Sequence, residues 1–178
     1  MTFVRFLFLG CFLALAACGT PDGDGASSEL IPLGDFRMGH NIAIGTEAKL
    51  IPPSRGATAD EWKTAMQGAM QKRFGRYDGA GLYHFGVSVD AYALAVPGIP
   101  IAFSPKSALV VTVTLWDNST QSKLNPEAKK VTVFETLSPE TVVGSGLTKS
   151  KAEQMENLVT NAAFEIQKWM VENKAWFE

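Results

Sequence analysis

The chain has little of the chemistry that announces an enzyme or a nucleic-acid binder. Only two histidines and two cysteines occur in its 178 residues. The formal net charge is −2, so there is no basic excess of the kind that phosphate binding requires, and nucleic acid is not an expected partner. No GxSxG, HExxH or Gly-rich nucleotide fingerprint is present, and no motif asks for a cofactor or a metal. A membrane-spanning run is also missing at the N-terminus. The uncharged apolar stretch from Phe6 to Ala17 falls well short of the roughly 20 residues that a spanning helix needs. What remains, at 46% hydrophobic and 19% charged residues, is the profile of one ordinary domain plus one special segment.

That segment holds both cysteines. Met1 to Arg5 is a short charged region, Phe6 to Ala17 is apolar, and Gly19, Pro21 and acidic residues follow, which is the order of an export signal. Its end, Leu15, Ala16, Ala17, Cys18, resembles the lipobox of bacterial lipoprotein precursors at all four positions. The resemblance implies a diacylglyceryl group on the Cys18 sulfur, cleavage between Ala17 and Cys18, and acylation of the new amine. Residues 1–17 are then a discarded signal peptide and Cys11 leaves with them, so neither a disulfide nor a metal pair is expected in the mature protein. The expected partner of acylated Cys18 is the lipid bilayer. By the sorting rule of some such lipoproteins, the resemblance also implies that Gly19, rather than Asp, after the Cys favours the outer membrane. Ala14, Leu15 and Ala16 also read as an ordinary signal-peptidase site, and a retained helical anchor is a further reading.

Residues 18–30 contain the stretch GTPDGDGASS, which cannot bury a core and is expected to act as a tether. Asp22 and Asp24 do not make a calcium loop, because Ala26 and Ser27 stand where an oxygen ligand and Gly belong. Residues 31–178 are expected to form a single domain.

Within it, Phe36, Met38, Ile42 and Ile44 fall on one face of a strand at period two, with His40 beside them. Thr58 and Glu61 form a capping box ahead of a helix whose stripe is Trp62, Ala65, Met66, Ala69, Met70 and Phe74. A long strand follows, with Tyr83, Phe85, Val87, Val89 and Ala91 on one face. Ser107 to Trp116 alternates most cleanly, Lys130 to Leu137 supplies another strand, and Val142 and Val143 a short edge piece. A second capping box, Ser150 with Glu153, opens a helix carrying Met155, Leu158, Val159, Ala162, Ile166, Trp169 and Met170. The order β-α-β-β-β-α predicts an α+β fold: a two-layer sandwich with two amphipathic helices on one face of a mostly antiparallel sheet. Lipidated Cys, tether and element order together resemble the small periplasmic assembly lipoproteins and the accessory lipoproteins of lipid-transport systems. The likeness implies an assembly or transport-accessory role with an envelope protein or a lipid as partner.

The candidate contact residues are Ile99, Ile101 and Phe103, in an apolar stretch from Val96 to Pro105 that three prolines keep out of a central ladder. Glu135 joins them because it falls in register with Val131, Val133 and Leu137, which a strand end, a bulge or a ligand contact would explain. His84, Ser88 and Asp90 share a strand face, but His84 and Ser88 stand roughly 13 Å apart, too far for a catalytic pair, and read as a solvent-facing polar strip. GSGLTKS, Gly144 to Ser150, lacks the spacing of a phosphate loop and reads as a helix entry. Asn118, Ser119 and Thr120 read as a turn. No catalytic residue is assigned. The leading expectation is a non-enzymatic binding or assembly module acting through its sheet face and the Val96–Pro105 loop. The alternatives are a small periplasmic hydrolase built from sequence-distant residues and a structural lipoprotein that binds the cell wall.

Overall fold

The computed structural model describes residues 30–96, 107–136 and 149–178. Among these residues, two helices lie on one face of a six-stranded sheet, the α+β sandwich expected from the hydrophobic pattern. Its strands are β1 (Phe36–Ile44), β2 (Lys49–Leu50), β3 (Gly81–Ala93), β4 (Ala108–Asp117), β5 (Ser122–Lys123) and β6 (Lys129–Phe134). The helices are α1 (Ala59–Phe74) and α2 (Lys151–Glu172), and a 3-10 turn at Lys174–Phe177 closes the chain.

The sheet is mixed. β3 and β4 pair antiparallel at its centre, and β5 and β6 pair antiparallel with β4. β1 and β2 pair with β3 in parallel, and α1 lies between them and β3 in the chain. A parallel pair cannot be closed by a tight turn and needs such a crossover.

Alternation decides which side chains go under the helices. Tyr83, Phe85, Val87 and Val89 of β3 are buried, as are Leu109, Val111, Val113 and Leu115 of β4 and Val131 and Val133 of β6. Two bulges change the register. One, between Val89 and Ala91, carries Tyr92 rather than Ala91 to the interior, where its hydroxyl donates to Ala57 O and accepts from Ala57 N, each at 3.0 Å. The other lies between Met38 and Asn41 of β1 and overturns the face predicted for that strand. Beyond it Ala43 is buried, while Ile42 and Ile44 are 55% and 48% exposed on the uncovered face. A one-residue slip sends every later side chain to the opposite side.

Both helices begin as expected. Thr58 and Ser150 each cap the N–H three residues on, and Glu61 and Glu153 return the bond. The helices run side by side in the same direction. Lys151 bonds Glu61 near their starts, and Arg73 donates to Gln167 at 3.0 Å near their ends. Gln167 donates to the Tyr77 hydroxyl at 2.6 Å, and that hydroxyl donates to Ile31 O at 2.7 Å. This chain of bonds ties the start of the described domain to α2, and burial pushes the Tyr77 phenol upward. Among the described residues, no helix is long and apolar enough to cross a membrane.

The caps have a pH signature. The Lys151 and Thr58 bonds hold the Glu61 carboxyl below its ordinary value, and the Ser150 bonds do the same for Glu153. As pH falls, the unfolded chain therefore takes up these two protons first. The stabilisation is complete above the ordinary carboxylate value and is lost as pH falls through the lowered folded values. Urea midpoints measured from about pH 6 to about pH 3 are expected to fall. The slope should be smaller in Glu61→Gln/Glu153→Gln, with a residue remaining from Asp117, which the Ser119 N–H holds low.

Candidate functional site

α1 turns two faces to its surroundings. Trp62, Met66, Met70 and Phe74 are buried against the sheet. On the opposite side of the expected stripe, Ala65 and Ala69 are only partly buried, and between them stands Gly68, which is exposed and has nothing within 4 Å of where a Cβ would sit. Small side chains here keep α1 from filling its junction with α2.

The result is a groove of about 680 Å³ between the helices. Ala65, Gly68 and Ala69 line one wall, and Ala152, Met155 and Val159 the other. It extends from Thr58 to Lys72, about 21 Å at the helical rise per residue. The ion pair of Lys151 with Glu61 closes one end. Lys72 stands at the other and makes no ion pair among the described residues. Volume and apolar lining are those of a small-molecule site rather than a helix seam.

The second feature is the sheet face that the helices leave uncovered. Ile42 and Ile44 stand on β1, Trp116 (39% exposed) at the end of β4 and Phe134 (59% exposed) at the end of β6. The centre of this face is small and polar. Ser88 pairs with Thr112, Gly86 with Thr114, and Thr112 donates to Asp90 at 2.5 Å. Ser88 and Asp90 thus belong to a partly exposed polar strip, as the strand pattern predicts. His84 stands on the same face, held by His40 N and by Asn118.

Glu135 lies one residue past the end of β6. Its N–H continues the ladder to Ser107 O at 2.8 Å, and its carboxylate pairs with Lys149 at 3.3 Å. The side chain is 8% exposed, so the carboxylate is buried as alternation predicts, and Lys149 supplies its counter-charge. Lys149 also donates to Thr136 O, and Ser150 beside it is the helix cap, so this end of GSGLTKS is a helix entry. Cys18, the Pro97–Lys106 stretch with Ile99, Ile101 and Phe103, the Val142–Val143 edge piece and Gly144 lie outside the described residues.

The hydrophobic pattern assigned Ala65 and Ala69 to the core stripe and so missed the groove. The signal was present in "AMQGAM", where small residues interleave with Met66 and Met70 around a mid-helix Gly. A Gly there costs about 0.5–1 kcal/mol relative to Ala.

No family model matches the chain, and none of the curated proteins does. It is similar to solved structures at low identity. One is a Xanthomonas campestris protein of the family DUF330, at 13% identity and TM-score 0.45, covering 79% of this chain and 88% of that one. Another is a PelC dodecamer from Paraburkholderia phytofirmans, at 9% identity and TM-score 0.39, covering 76% and 90%. A third is a minor lipoprotein from Acinetobacter baumannii, at 12% identity and TM-score 0.33, covering 75% and 92%.

Proposed function

We propose that this chain is a lipid-anchored protein of the bacterial outer membrane, facing the periplasm. In this reading it works by binding rather than by catalysis, as a transport-accessory or assembly module of the envelope. The groove between α1 and α2 receives the aliphatic body of a lipid. The observation that carries this reading is the groove itself: about 680 Å³, elongated along two helices, with Ala65, Gly68, Ala69, Ala152, Met155 and Val159 supplying its apolar walls and Thr64, Thr160 and charged residues its rim. Transfer of an alkyl chain into such a space gains about 0.8 kcal/mol per buried methylene. Lys72 at one end is placed for an anionic headgroup, while at the other Asp60 stands beside the paired Glu61 and Lys151 and makes that end unfavourable for one. A tether at Cys18 would hold the groove close to the bilayer that supplies such a ligand.

The test uses the full mature lipoprotein and the fluorescence of cis-parinaric acid, an anionic long-chain probe. Gly68→Leu is expected to weaken binding at least about tenfold, equivalent to 1.4 kcal/mol. Its urea midpoint should be unchanged or higher, since Leu is the better helix former by about 0.8–1 kcal/mol. Lys72→Ala should weaken the fatty acid but not its methyl ester. Unaltered probe binding by Gly68→Leu would overturn the reading.

A further inference from the structure

The β1 bulge is built around one imidazole. Between the pairs Met38↔Tyr83 and Asn41↔Phe85, β1 spends two residues, Gly39 and His40, where β3 spends one, His84. The extra backbone donor of such a bulge is left without a ladder partner. Here His40 N–H donates to His84 Nδ1 at 2.8 Å. Gly39 lets the ring come this close, because a Cβ at that position would overlap Nδ1 and Cε1 of His84. An Nδ1 that accepts carries no proton, so the proton of the neutral ring sits on Nε2, 3.1 Å from Asn118 Oδ1, to which it donates. The His40 ring lies against it with centroids 4.7 Å apart.

We infer that His84 is a proton-sensitive latch on the register of β1. With the ring neutral, Nδ1 accepts the bulge N–H and the slip is held. With the ring protonated, Nδ1 is itself a donor, two donors face each other, and the bond is lost. Among the described residues, the ionisable groups that the register places near the ring are His40 and Arg37 on β1, Asp117 at the end of β4 and Lys123 on β5. The Asp117 carboxylate is taken up by Ser119 and Thr120, and the Lys123 ammonium lies over Trp116, the cross-strand partner of His84. Among the described residues, no carboxylate bonds either ring nitrogen. A second charge on His40 would add like-charge repulsion at this short ring separation.

What the latch controls is the side to which the end of β1 faces. The bulge turns Ile42 and Ile44 outward and Ala43 inward, whereas plain alternation from Phe36 would send both isoleucines beneath the helices. Releasing it frees this pair from the uncovered sheet face. The inference is independent of the groove, which lies on the other side of the molecule between the helices.

The experiment is an NMR titration of the full mature protein over roughly pH 8 to 5, following the imidazole nitrogens, the His40 amide and the Ile42 and Ile44 methyls. At the upper end His84 should show the Nε2–H tautomer. As its ring protonates, the His40 amide should exchange about five- to tenfold faster and both methyl resonances should move along the same curve. His84→Asn, which keeps an acceptor near the Nδ1 position but no titrating ring, should hold the bulge and abolish the response. His40→Ala should preserve it, because the donor is backbone. A ring that protonates while the methyls and the His40 amide stay unchanged overturns the proposal, as does an undiminished response in His84→Asn.

Discussion

Replacing Phe36 with alanine is expected to lower the unfolding free energy by about 3–5 kcal/mol, the largest loss from any single side chain discussed above. The ring is 0% exposed and is the hub of the aromatic core. It lies 5.5 Å from Tyr83 in a stacked arrangement, and edge-on to Tyr77 at 5.5 Å, Phe177 at 5.4 Å, Phe85 at 6.0 Å and Phe74 at 6.1 Å. Those five rings come from β3, the end of α1, the turn after it and the C-terminal 3-10 turn. Truncation removes the transfer energy of the ring and leaves a cavity that four separate segments would have to shift together to fill. Aromatic pairing adds about 0.5–1.5 kcal/mol per contact beyond area. Urea unfolding should show a lower midpoint with an unchanged slope, the mark of lost stability rather than an altered denatured state. Phe36→Leu should recover part of the loss. A midpoint shift worth less than about 1 kcal/mol would mean that β1 does not dock on this core as described.

The second large effect concerns a residue outside the described domain. On the proposed reading, Cys18→Ser is expected to move the protein from the membrane fraction to the soluble periplasmic fraction and to abolish incorporation of labelled palmitate, while Cys11→Ser changes neither. The size of the effect follows from chain counting. A single acyl chain holds a protein only marginally at the bilayer, whereas several chains together, at roughly 0.8 kcal/mol per buried methylene, make the anchor effectively permanent. Serine offers no thiol for the diacylglyceryl group, so all of that energy is lost at once. Continued palmitate incorporation into Cys18→Ser would sink the lipobox reading.

The two helix caps were legible in full. Thr58 with Glu61, and Ser150 with Glu153, are read from a spacing of three, and their bonds close within one helical turn, so no distant residue votes on them. The inner faces of β3, β4 and β6 were equally plain up to Val89, Leu115 and Val133, since each strand is covered on one side only and alternation records which side. α2 matched its stripe residue by residue for the same reason. The groove was half legible: Gly68 was visible as a helix residue of poor propensity, but nothing local says whether Ala65 and Ala69 touch a neighbouring helix or leave a gap beside it. Glu135 stood out correctly as a break in alternation, and its partner, Lys149, was invisible because they are fourteen positions apart.

By itself the sequence determined the caps, the amphipathic faces and the two-layer class, because each depends on hydrogen bonds or periodicities that close within a few residues. Tertiary structure alone decided that β1 joins the sheet in parallel, that its register slips at Gly39 and His40, and that α1 and α2 part along Gly68. Each of these is a contact between segments far apart in the chain. The slip is the sharpest case: a ring on His84, forty-four residues after His40, supplies the acceptor that a strand reading of β1 had no means to include, and two isoleucines change sides as a result.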